Sequence, residues 1–212
     1  MAPSVLITSI ITLIIAITIH ESAHAYVANA LGDDTPRLNG RLTLNPLAHL
    51  HPIGSILIVV AGFGWGNPVP VNPYALMKRS PTALMWVSLA GPMSNFLLAL
   101  LAAIPLRLGL VPFTGLSTGI FPTAFEFLNG FISLNLMLML FNLIPLAPLD
   151  GDSIAQYFLP PSWERVMSKI RPYGQFVLLG LVFLGPWLGV NILGWIVTPP
   201  LINIRSLLLG GI

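Results

Sequence analysis

Long apolar stretches with almost no charge are the feature that most limits what this chain can fold into. Charged residues make up 8% of the 212 residues, and apolar residues make up 55%. Soluble proteins carry about 25% charged residues, because a water-exposed surface needs them. The composition therefore predicts an integral membrane protein. We see neither an internal repeat nor a soluble domain, so residues 1–212 are predicted to form a single transmembrane domain.

The remaining composition excludes other classes of protein and site. The net charge is only +2, and no basic cluster is interleaved with aromatic residues, so nucleic acid is not a predicted partner. The chain has no cysteine, which excludes disulfides and cysteine-based zinc sites. The partner that the composition does predict is the lipid bilayer.

Hydropathy predicts an all-α integral membrane protein with about four to five transmembrane helices. The first apolar stretch covers residues 5–31 and is predicted to end at Gly32. The later predicted spans are residues 82–110, 125–144 and 176–197, the last with a potential break at Gly185-Pro186. The tail, residues 201–212, is predicted to be either an extension of the last span or an interfacial piece.

Between the first two core helices the sequence predicts irregular structure. Residues 35–51 contain Asn39-Gly40 and roughly alternating apolar residues, which is typical of short strands. Residues 53–61 are apolar but too few to span, and the Gly and Pro of residues 62–73 exclude a regular helix. Irregular backbone at membrane depth is tolerated only against protein or a wet cavity. We therefore predict a re-entrant, partly strand-like segment here.

The distribution of basic residues predicts an orientation in the cell membrane. If the spans alternate, Arg107 and Arg205 lie on one face and the other seven of the nine basic residues share the opposite face. Those seven are Arg37, Arg41, Lys78, Arg79, Arg165, Lys169 and Arg171. Basic residues favour the cytoplasmic side, so the N-terminus of this multi-pass protein is predicted outside. The end of the first helix is then nearer the cytoplasmic face.

A motif that can bind a metal ion, His20-Glu21-Ser22-Ala23-His24, ends the first apolar stretch. Histidines four residues apart lie on one helix face, so both can bind the same ion. Zinc lowers the pKa of a water to about 7, and the adjacent Glu21 can take its proton. Interfacial polar residues are the alternative, but ionisable groups near the bilayer centre cost about 2.5 kcal/mol or more each. We therefore predict a site for one zinc ion with Glu21 as the general base.

Zinc requires a third protein ligand, which here must be a carboxylate or another histidine. The predicted topology places four acidic residues on the surface or the opposite face: Asp33, Asp34, Glu126 and Glu164. Asp150 and Asp152 follow the third span on the same face as the motif. The prolines before them prevent a regular helix, and Gly151 permits a tight turn. The residue types alone do not decide whether Asp150 or Asp152 is the third ligand.

Three motifs occur in a recognisable order: HESAH at 20–24, AGPMSN at 90–95 and NLIPLAPLDG at 142–151. With the GWGNPVPVN stretch at 64–72, they resemble the site-two protease family of intramembrane zinc metalloproteases, in its small bacterial or archaeal form. The resemblance covers nearly the whole chain and implies that Asp150 is the third ligand, beside His20 and His24. Nothing corresponds to the PDZ or CBS domains that some members carry.

Two asparagines are candidate substrate-binding or oxyanion residues. The resemblance favours Asn95 as a hydrogen-bond donor to a substrate backbone or developing oxyanion, and an interhelical hydrogen bond is the alternative. Asn67 lies in residues 66–72, an irregular edge that can pair with an unwound substrate by strand addition or can merely plug the bundle. His49 and His51 are predicted to be polar loop residues near the interface rather than extra ligands.

These features predict an intramembrane zinc endopeptidase that hydrolyses peptide bonds in or near transmembrane segments of other membrane proteins. The alternative is an ion- or proton-conducting transporter that uses the buried His and carboxylate groups. A transporter would more often show repeated halves with paired broken helices, and it has no need of Glu21 between two histidines. A catalytically inactive binding protein is a third reading, but the motif is intact.

Overall fold

The computed structural model describes residues 2–52, 54, 66–113, 115–117 and 119–210. The described α-helices are, in chain order, α1 (Pro3–Ala30), α2 (Thr35–Leu38), α3 (Pro46–His49), α4 (Pro73–Arg79), α5 (Ala83–Arg107), α6 (Ala124–Asn142), α7 (Asp150–Phe158), α8 (Pro161–Ile170), α9 (Gly174–Leu179), α10 (Gly185–Trp187) and α11 (Ile192–Leu209). Among them α1, α5, α6 and α11 are long and apolar enough to cross a membrane. The prediction of an all-α membrane protein with about four to five spans is confirmed.

The four long helices alternate in direction. Thr8 of α1 packs against Gly130 near the start of α6, so these two helices run the same way. At the end of α5, Arg107 donates a hydrogen bond of 2.8 Å to the Leu207 carbonyl near the end of α11, so this second pair also runs the same way. The end of the bundle where α1 and α6 finish is termed the site end, and the end where α5 and α11 finish is termed the far end.

Local sequence signals explain where two of the long helices begin or end. Thr123 and Glu126 form a capping box at the start of α6, in which each side chain accepts a hydrogen bond from the other residue's backbone N–H. After α1, Gly32 adopts a positive φ of 92°, which allows the chain to turn at the place that the sequence predicts. The prolines inside α5, Pro92 and Pro105, do not end that helix.

The strands predicted in residues 35–51 are absent, and this part of the prediction is wrong. The helical turns α2 and α3 are found there instead. Each turn has a proline in its first positions, where the missing N–H is not needed, and the Asn45 side chain accepts a hydrogen bond from Leu47 N to cap α3. The only pairing described is an isolated antiparallel bridge between Leu50 and Gly66. Most of the predicted re-entrant segment, residue 53 and residues 55–65, lies outside the described residues.

The fourth span also differs from the sequence prediction. Residues 176–197 are not one helix, because the chain turns at Gly189, where φ is 76°, and the Asn191 side chain then caps α11 by accepting a bond from Gly194 N. Leu178 packs with Ile144 and Leu149 and so stays at the site end. The fourth candidate span is α11, which contains Pro199 and Pro200. Residues 201–209 of the predicted tail are therefore part of this helix.

Candidate metal centre

The three predicted ligands come from two helices and meet at the site end. His20 and His24 project from α1, and their Nε2 atoms are 3.1 Å apart. Asp150 begins α7, with Oδ2 3.1 Å from His20 Nε2 and Oδ1 3.3 Å from His24 Nε2. One ligand atom from each residue lies within 4.8 Å of the others, which is close enough for all three to bind one ion.

The other nitrogen of each imidazole ring is held by α5. His20 Nδ1 is 2.6 Å from the Asn95 side-chain oxygen, and His24 Nδ1 is 2.7 Å from the Val87 carbonyl oxygen. These oxygens accept hydrogen bonds, so each ring carries its proton on Nδ1 and presents the Nε2 lone pair to the shared space. Metal-binding histidines commonly have this outer partner, which orients the ring.

Two further observations fit a metal ion at this point. Asp150 Oδ2 is buried without a hydrogen-bond partner, and a buried carboxylate oxygen is costly to leave in that state. Gly91 of α5 lies against the two rings: a Cβ added there would lie 2.6 Å from His20 Nε2 and closer still to His24 Nε2. Two imidazoles and one carboxylate form a donor set typical of zinc, with a coordination position left open.

Glu21 lies beside the three ligands but is not one of the group whose atoms converge. Its Oε2 accepts a hydrogen bond of 3.1 Å from Val69 N, which belongs to the non-helical segment before α4. Glu21, His20, His24 and Asp150 all line a cavity of about 700 Å³ that reaches Leu178 and Leu179 of α9. A carboxylate is thus held at the wall of a largely apolar cavity that also contains the metal ligands.

The two candidate asparagines differ in their surroundings. Asn95 is 0% exposed, and its Nδ2 donates to Asn135 Oδ1 at 3.1 Å and to the Ala16 carbonyl at 3.4 Å. Asn67 bonds through its backbone, donating to the His49 carbonyl at 2.6 Å, and its side chain is not among those lining the cavity. An oxyanion or substrate-binding role stays a prediction for both residues.

The other aspartate that the sequence left open has a different environment. Asp152 Oδ2 accepts a hydrogen bond of 2.6 Å from Arg171 Nε, and Arg171 also pairs with Glu164 of α8. This ion-pair network ties α8 to the start of α7. It holds Asp152 away from the group formed by His20, His24 and Asp150.

Sequence reasoning missed three groups that shape the site: Gly91, the Val87 carbonyl and Asn135. It also placed His49 in an interfacial loop, whereas His49 is 0% exposed and its Nε2 is 2.8 Å from the Thr43 carbonyl. A signal for Gly91 was available, because a small residue four positions before Asn95 allows close approach of two helices. A main-chain carbonyl such as that of Val87 has no sequence signal.

Together, the fold and the site define a multi-pass membrane protein in which two histidines and one aspartate are placed to hold a metal ion. The chain is 45% identical over 198 residues to the candidate zinc metalloprotease YwhC of Bacillus subtilis, covering 92% of this chain and 85% of YwhC. It is 31% identical over 189 residues to the candidate zinc metalloprotease Rip2 of Mycobacterium tuberculosis, covering 86% of this chain and 67% of Rip2.

The Rip2 protein of Mycolicibacterium smegmatis is 30% identical over 176 residues, covering 80% of this chain and 64% of that protein. No family model and no solved structure matches the chain. The chain belongs to the family of these candidate zinc metalloproteases.

Proposed function

We propose that this protein is an intramembrane zinc endopeptidase of the site-two protease type, which cuts transmembrane segments of other membrane proteins. The observation that carries the proposal is the position of Glu21: it follows His20 directly in the chain, lines the same cavity and yet stays outside the ligand group. A general base for hydrolysis needs this placement, beside the metal but not bound to it.

The metal ligands of the proposal are His20, His24 and Asp150, and the ion is one zinc per chain. When bound, zinc lowers the pKa of a water to about 7 and polarises the carbonyl that is attacked. The names of the relatives support zinc, and so do the donor set and the orphaned Asp150 oxygen. Asn95 and the Val87 carbonyl hold the two rings so that both Nε2 atoms would be free to bind the ion.

The rest of the reaction uses groups of this chain. The Glu21 carboxylate takes a proton from the attacking water at one of its oxygens and then delivers it to the leaving amine nitrogen as the peptide bond breaks. The Val69 N–H holds Oε2 by its hydrogen bond and so limits the rotation of the carboxylate. The cavity around it is lined largely by apolar side chains, and an apolar lining strengthens electrostatic interactions within a site.

The substrate of the proposal is an unwound transmembrane segment. A helix hides its own carbonyls in its hydrogen bonds, so hydrolysis requires extended backbone. Between Gly66 and α4 the chain is not helical, and Gly66, Pro68, Val69 and Val71 line the cavity. An extended substrate could pair with this edge by strand addition. Gly66 also allows this segment to lie close to α1, because a Cβ at residue 66 would lie 2.8 Å from the Ile17 side chain.

The alternative, an ion- or proton-conducting transporter, is not favoured by the comparisons, since the relatives are named as proteases. The arrangement of the site also disfavours it. His20, His24 and Asp150 gather at one end of the bundle, and the described residues hold no second group of His and carboxylate side chains that converge in this way.

The decisive variant is Glu21→Gln, which keeps the shape of the side chain and removes the base. We expect zinc content to stay at about one per chain while cleavage of a transmembrane substrate in vesicles falls by about 100-fold or more. Asp150→Ala should lose most of its zinc, and Asp34→Asn is the matched control because its carboxylate is exposed and pairs with Arg37. Normal cleavage by zinc-loaded Glu21→Gln protein would overturn the proposed mechanism.

We also propose that the site end faces the cytoplasm and that the N-terminus lies outside. The support is the concentration of basic residues on the segments between α1 and α5 and on α8, against Arg107 and Arg205 near the far end. The native chain has no cysteine, so Ser168→Cys provides a single label on α8. We expect a membrane-impermeant thiol reagent to label it only after the cytoplasmic side is opened, and labelling in intact cells would reverse the orientation.

A further inference from the structure

Asn135 is a buried polar residue in the middle of α6 that the proposed reaction does not use. It is 0% exposed and does not line the cavity. A buried side-chain amide without hydrogen-bond partners costs free energy. The partners of the Asn135 amide therefore indicate its role in the structure. Its Nδ2 donates to the Phe131 carbonyl at 2.9 Å, and its Oδ1 accepts from Asn95 Nδ2 at 3.1 Å.

These bonds extend to the metal site through Asn95. The Asn95 Oδ1 atom lies 2.6 Å from His20 Nδ1, so three side chains on α6, α5 and α1 form one hydrogen-bonded chain. The donor and acceptor roles in this hydrogen-bonded series have only one arrangement, because the Phe131 carbonyl oxygen at its outer end accepts hydrogen bonds and cannot donate them. Asn135 must therefore turn its oxygen toward Asn95, and Asn95 must turn its oxygen toward His20.

The consequence reaches the metal-binding nitrogen. With the Asn95 oxygen facing it, His20 Nδ1 carries the proton and Nε2 is left with a lone pair facing Asp150 and His24. The longer bond of 3.4 Å from Asn95 Nδ2 to the Ala16 carbonyl supports the same amide orientation, but the bond to Asn135 is the shorter of the two.

The geometry points to Asn135 as a positioning residue that fixes the amide orientation of Asn95 and thereby the ring nitrogen that His20 offers to the metal. This inference rests on the proposed zinc site but not on the proposed proteolysis. A purely structural alternative is that the Asn135–Asn95 bond only joins two helices in the membrane. The two possibilities differ in whether the loss of Asn135 affects the metal through Asn95.

The test is a double-mutant cycle read out by metal affinity. Asn135→Leu removes the acceptor at similar size, and the dissociation constant for Zn²⁺ is measured by competition with a chromophoric chelator in the full-length purified protein. We expect binding to weaken by about 10-fold to 100-fold. The Co²⁺-loaded variant should also show an altered visible absorption spectrum. Ser133→Ala on the same helix is the matched control, because it removes only a bond of 2.9 Å to the Asn129 carbonyl, and both readouts should stay as in the wild type.

The same substitution is then made in an Asn95→Ala background, where Asn135→Leu should weaken Zn²⁺ binding no further. An equal additional loss in that background would overturn the inference, as would unchanged Zn²⁺ affinity in the single variant. If Asn135→Leu does not fold, Asn135→Ser, which avoids an apolar group beside Asn95, is expected to give the same pattern. Failure of the wild-type protein to bind Zn²⁺ would overturn the proposed zinc site itself. This outcome differs from the two above, in which the zinc site stands and only the role of Asn135 fails.

Discussion

The two ends of the helix bundle are built from the same helices but from different chemistry. At the site end, α1 and α5 bury His20, His24 and Asn95 at a cavity, and Asn135 of α6 is buried beside Asn95. One turn beyond Asn95, Ala99 and Ala103 of α5 belong instead to an apolar core with Ile132 of α6 and with Leu209 near the far end.

Small residues let the two helices approach closely at the far end, so dispersion contacts hold them together there. The polar residues at the site end are oriented by hydrogen bonds and leave space for an ion. The core around Ala99, Ala103 and Ile132 therefore contributes packing stability away from the ligands, whereas the site end has apolar clusters of its own and also carries the chemistry. Substitutions at the two ends should therefore change different measured quantities.

The largest effect is expected for Gly91→Ala at the site end. The added Cβ would lie 2.6 Å from His20 Nε2, so the rings cannot keep their positions around an ion. Zn²⁺ binding should weaken by more than about 100-fold, beyond the usual loss for an outer-shell residue, while the protein still purifies as a folded species. The measurement is zinc content after dialysis against a weak chelator.

A matched glycine provides the control for that experiment. Gly180→Ala adds the same methyl group where nothing lies within 4 Å, so its zinc content should equal that of the wild type. Full zinc occupancy in Gly91→Ala would show that the two rings can move apart and still bind the ion. Gly91 would then not be required for the metal site.

Ile132→Ala at the far end should reduce stability without changing the metal site. Ile132 is 0% exposed and belongs to the apolar core, so its truncation should lower the free energy of unfolding by about 2–5 kcal/mol. Zn²⁺ affinity per folded molecule should stay the same. Unfolding in mixed micelles measures the first quantity, and Ile104→Ala is the control because that side chain is 47% exposed. A large loss of Zn²⁺ affinity would mean that the two ends are coupled.

A smaller effect is expected at Asp33, a polar residue at the site end that is not a metal ligand. It is 1% exposed, and its carboxylate accepts hydrogen bonds from Thr35 N at 2.9 Å and Asn72 N at 2.6 Å, which ties the end of α1 to the start of α4. Burial alone would raise the pKa of Asp33, but these hydrogen bonds outweigh it and hold the pKa below the ordinary 3.8.

Because the folded pKa of Asp33 is depressed, its contribution is fully present above the ordinary pKa and is lost as the pH falls through the folded value. Asp33→Asn should reduce the free energy of unfolding by about 1 kcal/mol at pH 7 and leave zinc content unchanged. The difference from the wild type should shrink below pH 4, whereas exposed Asp34→Asn should change little at either pH. A difference that grows with falling pH would contradict the assignment.

Much of the fold could be predicted from the sequence, because a bilayer restricts the options. Three of the four predicted spans match α1, α5 and α6 closely. A long apolar stretch in lipid must form a helix, because only then do its own residues supply all the backbone hydrogen bonds. The fourth span, predicted at residues 176–197, was misplaced: the chain turns at Gly189, and the long helix α11 begins only after it and continues through Pro199 and Pro200. The alternating apolar residues of 35–51 indicated strands, whereas proline and asparagine at the helix starts produce the helical turns α2 and α3.

By itself, the sequence determined the chemistry available: a membrane-embedded chain without cysteine, and two histidines with a glutamate on one helix. These are local properties, since residues four apart on a helix must share a face. The tertiary structure decided which of two aspartates joins the histidines, with Asp150 in the cluster and Asp152 paired to Arg171. It also decided that Gly91 makes room for the rings and that Asn135 reaches His20 through Asn95. These contacts join residues on different helices, so they depend on how the helices pack, and the pattern along any one segment does not contain them.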